Sequence, residues 1–266
     1  MLLLVGAGLW AGWALRLDPR QLWPSDGGWQ LAHDFFSRAW RPALTHQAAD
    51  LPSGTTPLLV QALIAAGRTV VFAAAAMLPS LILGILLGFG GSTAWWADDR
   101  RQYRLGGLVS SLCRILAVVL RSVHELIWAV LFLAAFGVTP LAAVAALTLP
   151  YAGTLAKVFA EMIDEAPRQA GGAFRDAGAS SVQVFAFGLL PRAMPDMMAY
   201  TLYRFECALR SAAVLGFFGF PTLGFYVAAS FENLYYGEVW TYLYALLILV
   251  VVVDWWSGAV RRRLLG

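Results

Sequence analysis

The stretch LLVQALIAAGRTVVFAAAAMLPSLILGILLGF, residues 58–89, holds a single charged side chain, Arg68, in a run long enough to cross a bilayer. A hydrocarbon core about 30 Å thick asks for roughly 20 apolar residues in helical form. In lipid every backbone N–H and C=O must find a partner within the segment, so the stretch reads as a helix rather than a strand. Pro79 lies inside it, and a proline removes one N–H and crowds the preceding turn. A kink or break is expected near Met77-Leu78-Pro79-Ser80.

Outward from this stretch, apolar runs recur at about 107–136, 141–163, 196–218 and 240–258. The opening run, MLLLVGAGLWAGWALRL, makes a sixth. It has no basic residues ahead of its apolar part and no clean small-x-small cleavage site, so a retained helix is expected rather than a cleaved signal. Arg16 can lengthen it by reaching to the interface. Composition agrees: 60% of the 266 residues are hydrophobic, 13% are charged, and mean hydropathy is +0.67. An ordinary soluble domain is roughly 25% charged. The expected fold is all-α and integral to a membrane, with six transmembrane helices. Cys113 and Cys207 both fall in apolar stretches and are expected as free thiols.

Charge placement sets the topology. Arg100, Arg101 and Arg104 follow the second run; Lys157, Arg168, Arg175 and Arg192 accompany the connection after the fourth; Arg261, Arg262 and Arg263 end the chain. The remaining connections carry only Arg16, Arg20, Arg38 and Arg41, all in the first. That alternation obeys the positive-inside rule with both termini cytoplasmic. In the first outer connection, Leu31, Phe35, Phe36, Ala39 and Trp40 recur at helical spacing among polar residues, as in an interfacial amphipathic helix. Tyr235, Tyr236 and Trp240 form an aromatic belt at a second outer connection.

The connection at 164–195 is too long for a simple turn. It reads as two short helical patterns divided by Gly178, with Ser180 or Ser181 able to cap the second and Leu190-Pro191 stopping it before the next span. A compact helix pair on the cytoplasmic side, between the fourth and fifth spans, suits docking of a soluble partner. The segment resembles the coupling loop of binding-protein-dependent ABC importer permeases, whose pattern is Glu-Ala-Ala, three residues, Gly, and later Leu-Pro. Gly178 matches the glycine and Leu190-Pro191 the close, while Gly172 stands where the family has its glutamate. The run Tyr200-Thr201-Leu202-Tyr203-Arg204-Phe205-Glu206 with Arg210-Ser211 and Val214-Leu215-Gly216 is similar to the phosphonate and phosphite permeases in particular, as is Leu120–Ala129.

The resemblance implies a division into residues 1–57, a first helix with an outer amphipathic segment, and 58–266, the permease core. It implies a transport subunit of the bacterial inner membrane, not an enzyme, importing phosphonate, phosphite or a related oxyanion. The implied partners are a second permease copy, two cytoplasmic ATPases carrying ATP and Mg, and an extracytoplasmic binding protein, all in lipid and without nucleic acid. Its coupling residues would be Gly172, Arg175, Asp176, Gly178, Leu190 and Pro191. Independently, no GxxxxGK[ST] phosphate loop occurs in the sequence, so a pump built on this chain must borrow its nucleotide site. No cofactor is expected in the chain itself.

Charges within the spans cost about 2.5–3.5 kcal/mol each and ask for a reason. Arg114, Arg121 and Glu125 share a helical face at spacings of seven and four, and Glu206 precedes Arg210 by four, the order that favours an intrahelical pair. Two readings stand: structural pairs that set helix rotation, or a path in which Arg121, Glu125, Arg204, Glu206 and Arg210 meet an oxyanion, guanidinium suiting its geometry. After Gly216 the family's glycine-rich stretch is replaced by Gly219-Phe220-Pro221-Thr222-Leu223-Gly224. Phe220 and Pro221 add bulk, so Gly219, Phe220, Pro221 and Gly224 are read as an outer gate or as neutral repacking. An ion-coupled secondary transporter would want an internal repeat, and none is evident. A membrane-embedded enzyme is disfavoured because His33, His46 and His124 show no metal-ligand spacing and no nucleophile–base pair occurs.

Overall fold

The computed structural model describes residues 1–16, 23, 26–48, 52, 54–94, 100–166, 172–174 and 176–265. These form helices, turns and loops, with no strand among them. The long helices are α3 (Leu58–Gly91), α4 (Arg100–Ser122), α6 (Pro140–Glu165), α7 (Leu190–Val214) and α9 (Tyr236–Leu265). Shorter ones are α1 (Leu2–Ala14), α2 (Asp26–Ser37), α5 (Glu125–Phe136) and α8 (Leu223–Glu232). Three helices are each long and apolar enough to cross a membrane: α3, α6 and most of α9. Two bent pairs, α4 with α5 and α7 with α8, raise the number to as many as five. At 13 residues, α1 falls short of a full crossing.

Helix α6 is the innermost element. Leu147, Tyr151, Leu155, Phe159 and Ile163 lie on its buried face at helical spacing. Small residues let its neighbours come close. A Cβ on Gly84 would sit 2.6 Å from the Leu155 Cβ, and one on Gly88 would sit 2.9 Å from that of Phe159. This Gly-xxx-Gly stripe of α3 is how helices pack tightly where lipid supplies no hydrophobic drive. The opposite flank of α6 meets α4 through Gly153, whose Cβ would lie 2.7 Å from the Ala117 carbonyl.

Proline does not break α3. The helix runs unbroken from Leu58 to Gly91 through Pro79. Ser80 Oγ donates to the Ala76 carbonyl at 2.7 Å, and Thr148 Oγ1 reaches the same carbonyl from α6 at 3.3 Å. These side-chain donors reinforce the turn beside the proline.

The run 107–136 is broken instead. α4 and α5 meet at 85°, so Arg121 and Glu125 stand on different helices and share no face. The break follows from His124, which sits in extended backbone and caps α5 by accepting the Leu126 N–H on its Nδ1. Once capped there, α5 starts in a new direction.

A correction also applies to Leu190-Pro191, which does not stop a helix. Helical backbone continues from Ser181 through a π-helical turn, Val184–Leu189, directly into α7, with Pro191 in the first turn of α7. The Leu190 N–H bonds to the Phe185 carbonyl, five residues back. Lengthening the ring by one residue absorbs a proline that has no N–H of its own. Away from that turn, α2 packs its amphipathic face on the start of α9. Phe35 touches Phe231, Tyr236 and Trp240, and Trp240 Nε1 donates to the Phe35 carbonyl at 2.7 Å.

Candidate functional site

Halfway along α6, where α5 begins and α7 passes, a polar cavity of about 290 Å³ opens. It is lined by Glu125, Tyr151, Thr154, Arg204, Arg210 and Ser211, with Cys207 beside them. The capped bend aims the first turn of α5 here, so the positive end of its dipole joins the site. Ser211 Oγ donates to Glu125 Oε1 at 2.8 Å, and Tyr151 Oη lies 3.0 Å from Ser211 Oγ. Arg204 spends its Nε on Tyr200 Oη at 2.8 Å and lies over the rings of Tyr200 and Tyr203. Arg210 reaches Cys207 Sγ at 3.5 Å. Among the described residues neither arginine forms an ion pair, which leaves terminal guanidinium nitrogens for an anion.

Of the five charges expected on a path, the fold brings together three: Glu125, Arg204 and Arg210. Arg121 lines a separate pocket with Arg114 and Lys157. Glu206 is buried, 8% exposed, and faces away. Its partners are Ser257 Oγ and, at 3.2 Å, Arg261, both on α9, rather than Arg210. Arg261 also lies 3.7 Å from Asp254. The i, i+4 pairing of Glu206 with Arg210 is therefore corrected: the two side chains serve different neighbours. Ser211 belongs to the Arg210-Ser211 motif, while Tyr151 belongs to no motif in the sequence. A tyrosine following Pro150 in an apolar run was the available sign, since a buried hydroxyl needs a partner.

Where the C-terminal ends of α3 and α6 meet the middle of α4, a second polar centre forms on Asp164. Its carboxylate accepts from Ser92 Oγ at 2.7 Å, the Thr93 N–H at 2.8 Å, the Ala94 N–H at 3.1 Å and Arg114 at 2.8 Å. Arg114 Nε also donates to the Gly91 carbonyl. Just beyond lies the expected coupling segment. Gly172 is in a helical turn over 172–174, and Asp176 and Gly178 are exposed. Gly178 holds φ at +80°, the left-handed backbone that favours glycine. Gln183 Oε1 accepts the Ser180 N–H at 2.8 Å, one half of a capping box. Arg175, like Arg168, lies outside the described residues.

The outer-gate residues form a packed corner between α7 and α8. A Cβ on Gly216 would fall 2.0 Å from the Phe225 nitrogen, and one on Gly224 would fall 2.2 Å from the Ala213 carbonyl. Gly219 has φ +93°. Phe220 is 3% exposed and meets Phe72 edge-on at 5.7 Å, while Pro221 precedes Thr222, whose hydroxyl donates to the Ala213 carbonyl.

Comparison with known proteins adds three findings. The family described as binding-protein-dependent transport system inner membrane component matches residues 68–266. The phosphite transport system permease protein PtxC of Stutzerimonas stutzeri is 39% identical over 159 residues, 59% of this chain and 57% of that protein. The phosphate-import permease protein PhnE of Mycolicibacterium smegmatis is 31% identical over 147 residues, 55% of this chain and 28% of that one. This chain thus spans little more than half the length of the most similar of these relatives, and less of the other. Among solved structures, an inward-facing MetNI methionine ABC transporter chain superposes with TM-score 0.66 at 20% identity, covering 80% of this chain and all of that one. That likeness is one of fold.

Proposed function

This chain belongs to the binding-protein-dependent transport system inner membrane component family, and on that premise we propose that it is the permease subunit of an ATP-driven importer of phosphite, phosphonate or a related oxyanion. One observation carries the substrate reading: two arginines without ion-pair partners among the described residues line one cavity halfway along α6, in a chain similar to phosphite permeases. Guanidinium presents paired N–H donors that match the oxygens of a tetrahedral anion. Broken helices that meet at the membrane centre are where transporters commonly place a solute.

In this reading α1, with Arg16 reaching to the interface to make up its length, completes six spans, both termini face the cytoplasm, and the chain sits in the bacterial inner membrane. Residues 58–266 form the transport core. A second copy of the chain completes the path, two ATPase subunits bearing ATP and Mg drive it, and an extracytoplasmic binding protein delivers the anion. The ATPase meets the segment holding Gly172, Arg175, Asp176, Gly178, Leu190 and Pro191. The Asp164 centre fastens α3, α4 and α6 together just before that segment, so a push there is transmitted to α6 and to the cavity wall. The corner of Gly219, Phe220, Pro221 and Gly224 closes the outer side.

The test is assembly followed by uptake. The chain, expressed with an ABC ATPase and a binding protein of the phosphite class, should purify as a complex and import labelled phosphite in an ATP-dependent way. A complex that forms and hydrolyses ATP yet imports no phosphite or phosphonate refutes the substrate; failure to hold any ATPase refutes the permease role.

A further inference from the structure

The cavity halfway along α6 contains a detail that a generic anion site does not need, a carboxylate. Among the described residues its lining carries two guanidiniums and one acid, Glu125, so a single negative charge balances it. As a carboxylate, Glu125 accepts on Oε1 from Ser211 Oγ at 2.8 Å, and Tyr151 Oη, 3.0 Å from Ser211 Oγ, can donate to the serine in turn. The second oxygen, Oε2, has His124 Nε2 at 3.7 Å, beyond hydrogen-bond reach. Among the described residues it has no hydrogen-bond partner, and Glu125 lines a cavity whose other charged residues are arginines.

We propose that Glu125 makes this site selective for the protonated, singly charged form of a tetrahedral oxyanion. The P–O–H of the monoanion donates to Glu125 Oε2 while its remaining oxygens meet Arg204 and Arg210. A dianion without an O–H, whether phosphonate, phosphite or sulfate, sets lone pairs against the carboxylate and is refused. The inference rests on the reading of this cavity as the oxyanion path. Every titratable or charged group facing Glu125 is accounted for: His124 at the α4–α5 bend, Tyr151 on α6, and Arg204, Cys207 and Arg210 on α7. Arg121, four residues earlier, lines the other pocket. Glu125 is a specificity residue here, and Tyr151 and Ser211 are its positioning residues.

The assembled importer in proteoliposomes, with its ATPase and binding protein, tests this through uptake of labelled methylphosphonate against external pH. In Glu125→Gln the amide can donate as well as accept, so the dianion becomes acceptable. The monoanion fraction falls about tenfold for each pH unit above the second ionisation. The ratio of variant to wild-type uptake should therefore rise by up to about tenfold per unit there, and the pH response of the binding protein cancels in that ratio. Arg121→Gln, which removes a charge from the separate pocket beside Lys157 and leaves the Glu125 cavity intact, should keep the wild-type slope. A flat Glu125→Gln ratio overturns the proposal while leaving the oxyanion path standing. Absence of wild-type uptake at every pH overturns the path reading itself. Should Glu125→Gln not assemble, the wild type decides: uptake that follows the occupancy of the binding protein, measured at each pH, and not the monoanion fraction overturns the proposal.

Discussion

Truncating Asp164 to alanine removes the acceptor on which the C-terminal ends of α3 and α6 and the middle of α4 converge. The magnitude follows from its donors. Ser92 Oγ and the Ala94 N–H are partly shielded from water, and a hydrogen bond to a charged acceptor in such a place contributes about 1.5 kcal/mol. Thr93 is exposed and Arg114 half-exposed, so their bonds add little. Asp164→Ala should therefore cost about 3 kcal/mol. Asp164→Asn keeps an oxygen toward Ser92 and the two N–H groups but loses the charge that strengthens those bonds as well as the weak pairing with Arg114, so about 1 kcal/mol is expected. For a chain of this size 1 kcal/mol moves a melting midpoint by roughly 2–4 °C, which predicts shifts of about 6–12 °C and about 3 °C. Cys113 and Cys207 are free and partly buried, so a thiol-reactive dye in detergent reports the transition without added labels. A midpoint for Asp164→Ala within about 2 °C of the wild type refutes the reasoning, as does an asparagine variant no better than alanine.

Three further outcomes are expected. Arg261→Gln should destabilise by about 3 kcal/mol, because Glu206 is left charged and buried, while Arg210→Gln should melt like the wild type and lose oxyanion uptake; melting and uptake measured on both variants check the split. Gly178→Val, forced to φ near +80° in open space, should cost only about 1–2 kcal/mol yet abolish transport-linked ATP hydrolysis, read as binding-protein-stimulated phosphate release. Phe220→Ala should open a cavity against Phe72 and cost about 3–5 kcal/mol, and a variant of unchanged stability would show that this corner is not packed as described.

Much of the architecture was legible because lipid is an exacting solvent. It forces each apolar run to satisfy its own backbone, so residues 58–89 had to be helical whatever surrounded them, and the sequence-read run at 141–163 lies within α6. The amphipathic spacing of Leu31, Phe35 and Trp40 likewise announced α2 and the turn that follows it. Gly178 announced its left-handed turn, because few other residues hold that backbone freely.

What the tertiary structure alone decided concerns partners and direction. Spacing placed Arg121 and Glu125 on one face, but that inference presumes an unbroken helix, and the His124 cap turns the chain by 85°. Spacing also matched Glu206 with Arg210, yet a buried carboxylate takes the donors that burial offers, and α9 supplied Ser257 and Arg261. Pro191 and Pro79 read as helix breakers, and each was absorbed, one by a longer hydrogen-bonded ring and the other by hydroxyls beside it. The cavity itself joins α5, α6 and α7, whose residues Glu125 and Ser211 are separated by 86 positions. Hydropathy and spacing are local quantities and cannot see across such a distance; packing around the small residues of α3 and α6 brings those side chains within a hydrogen bond of one another.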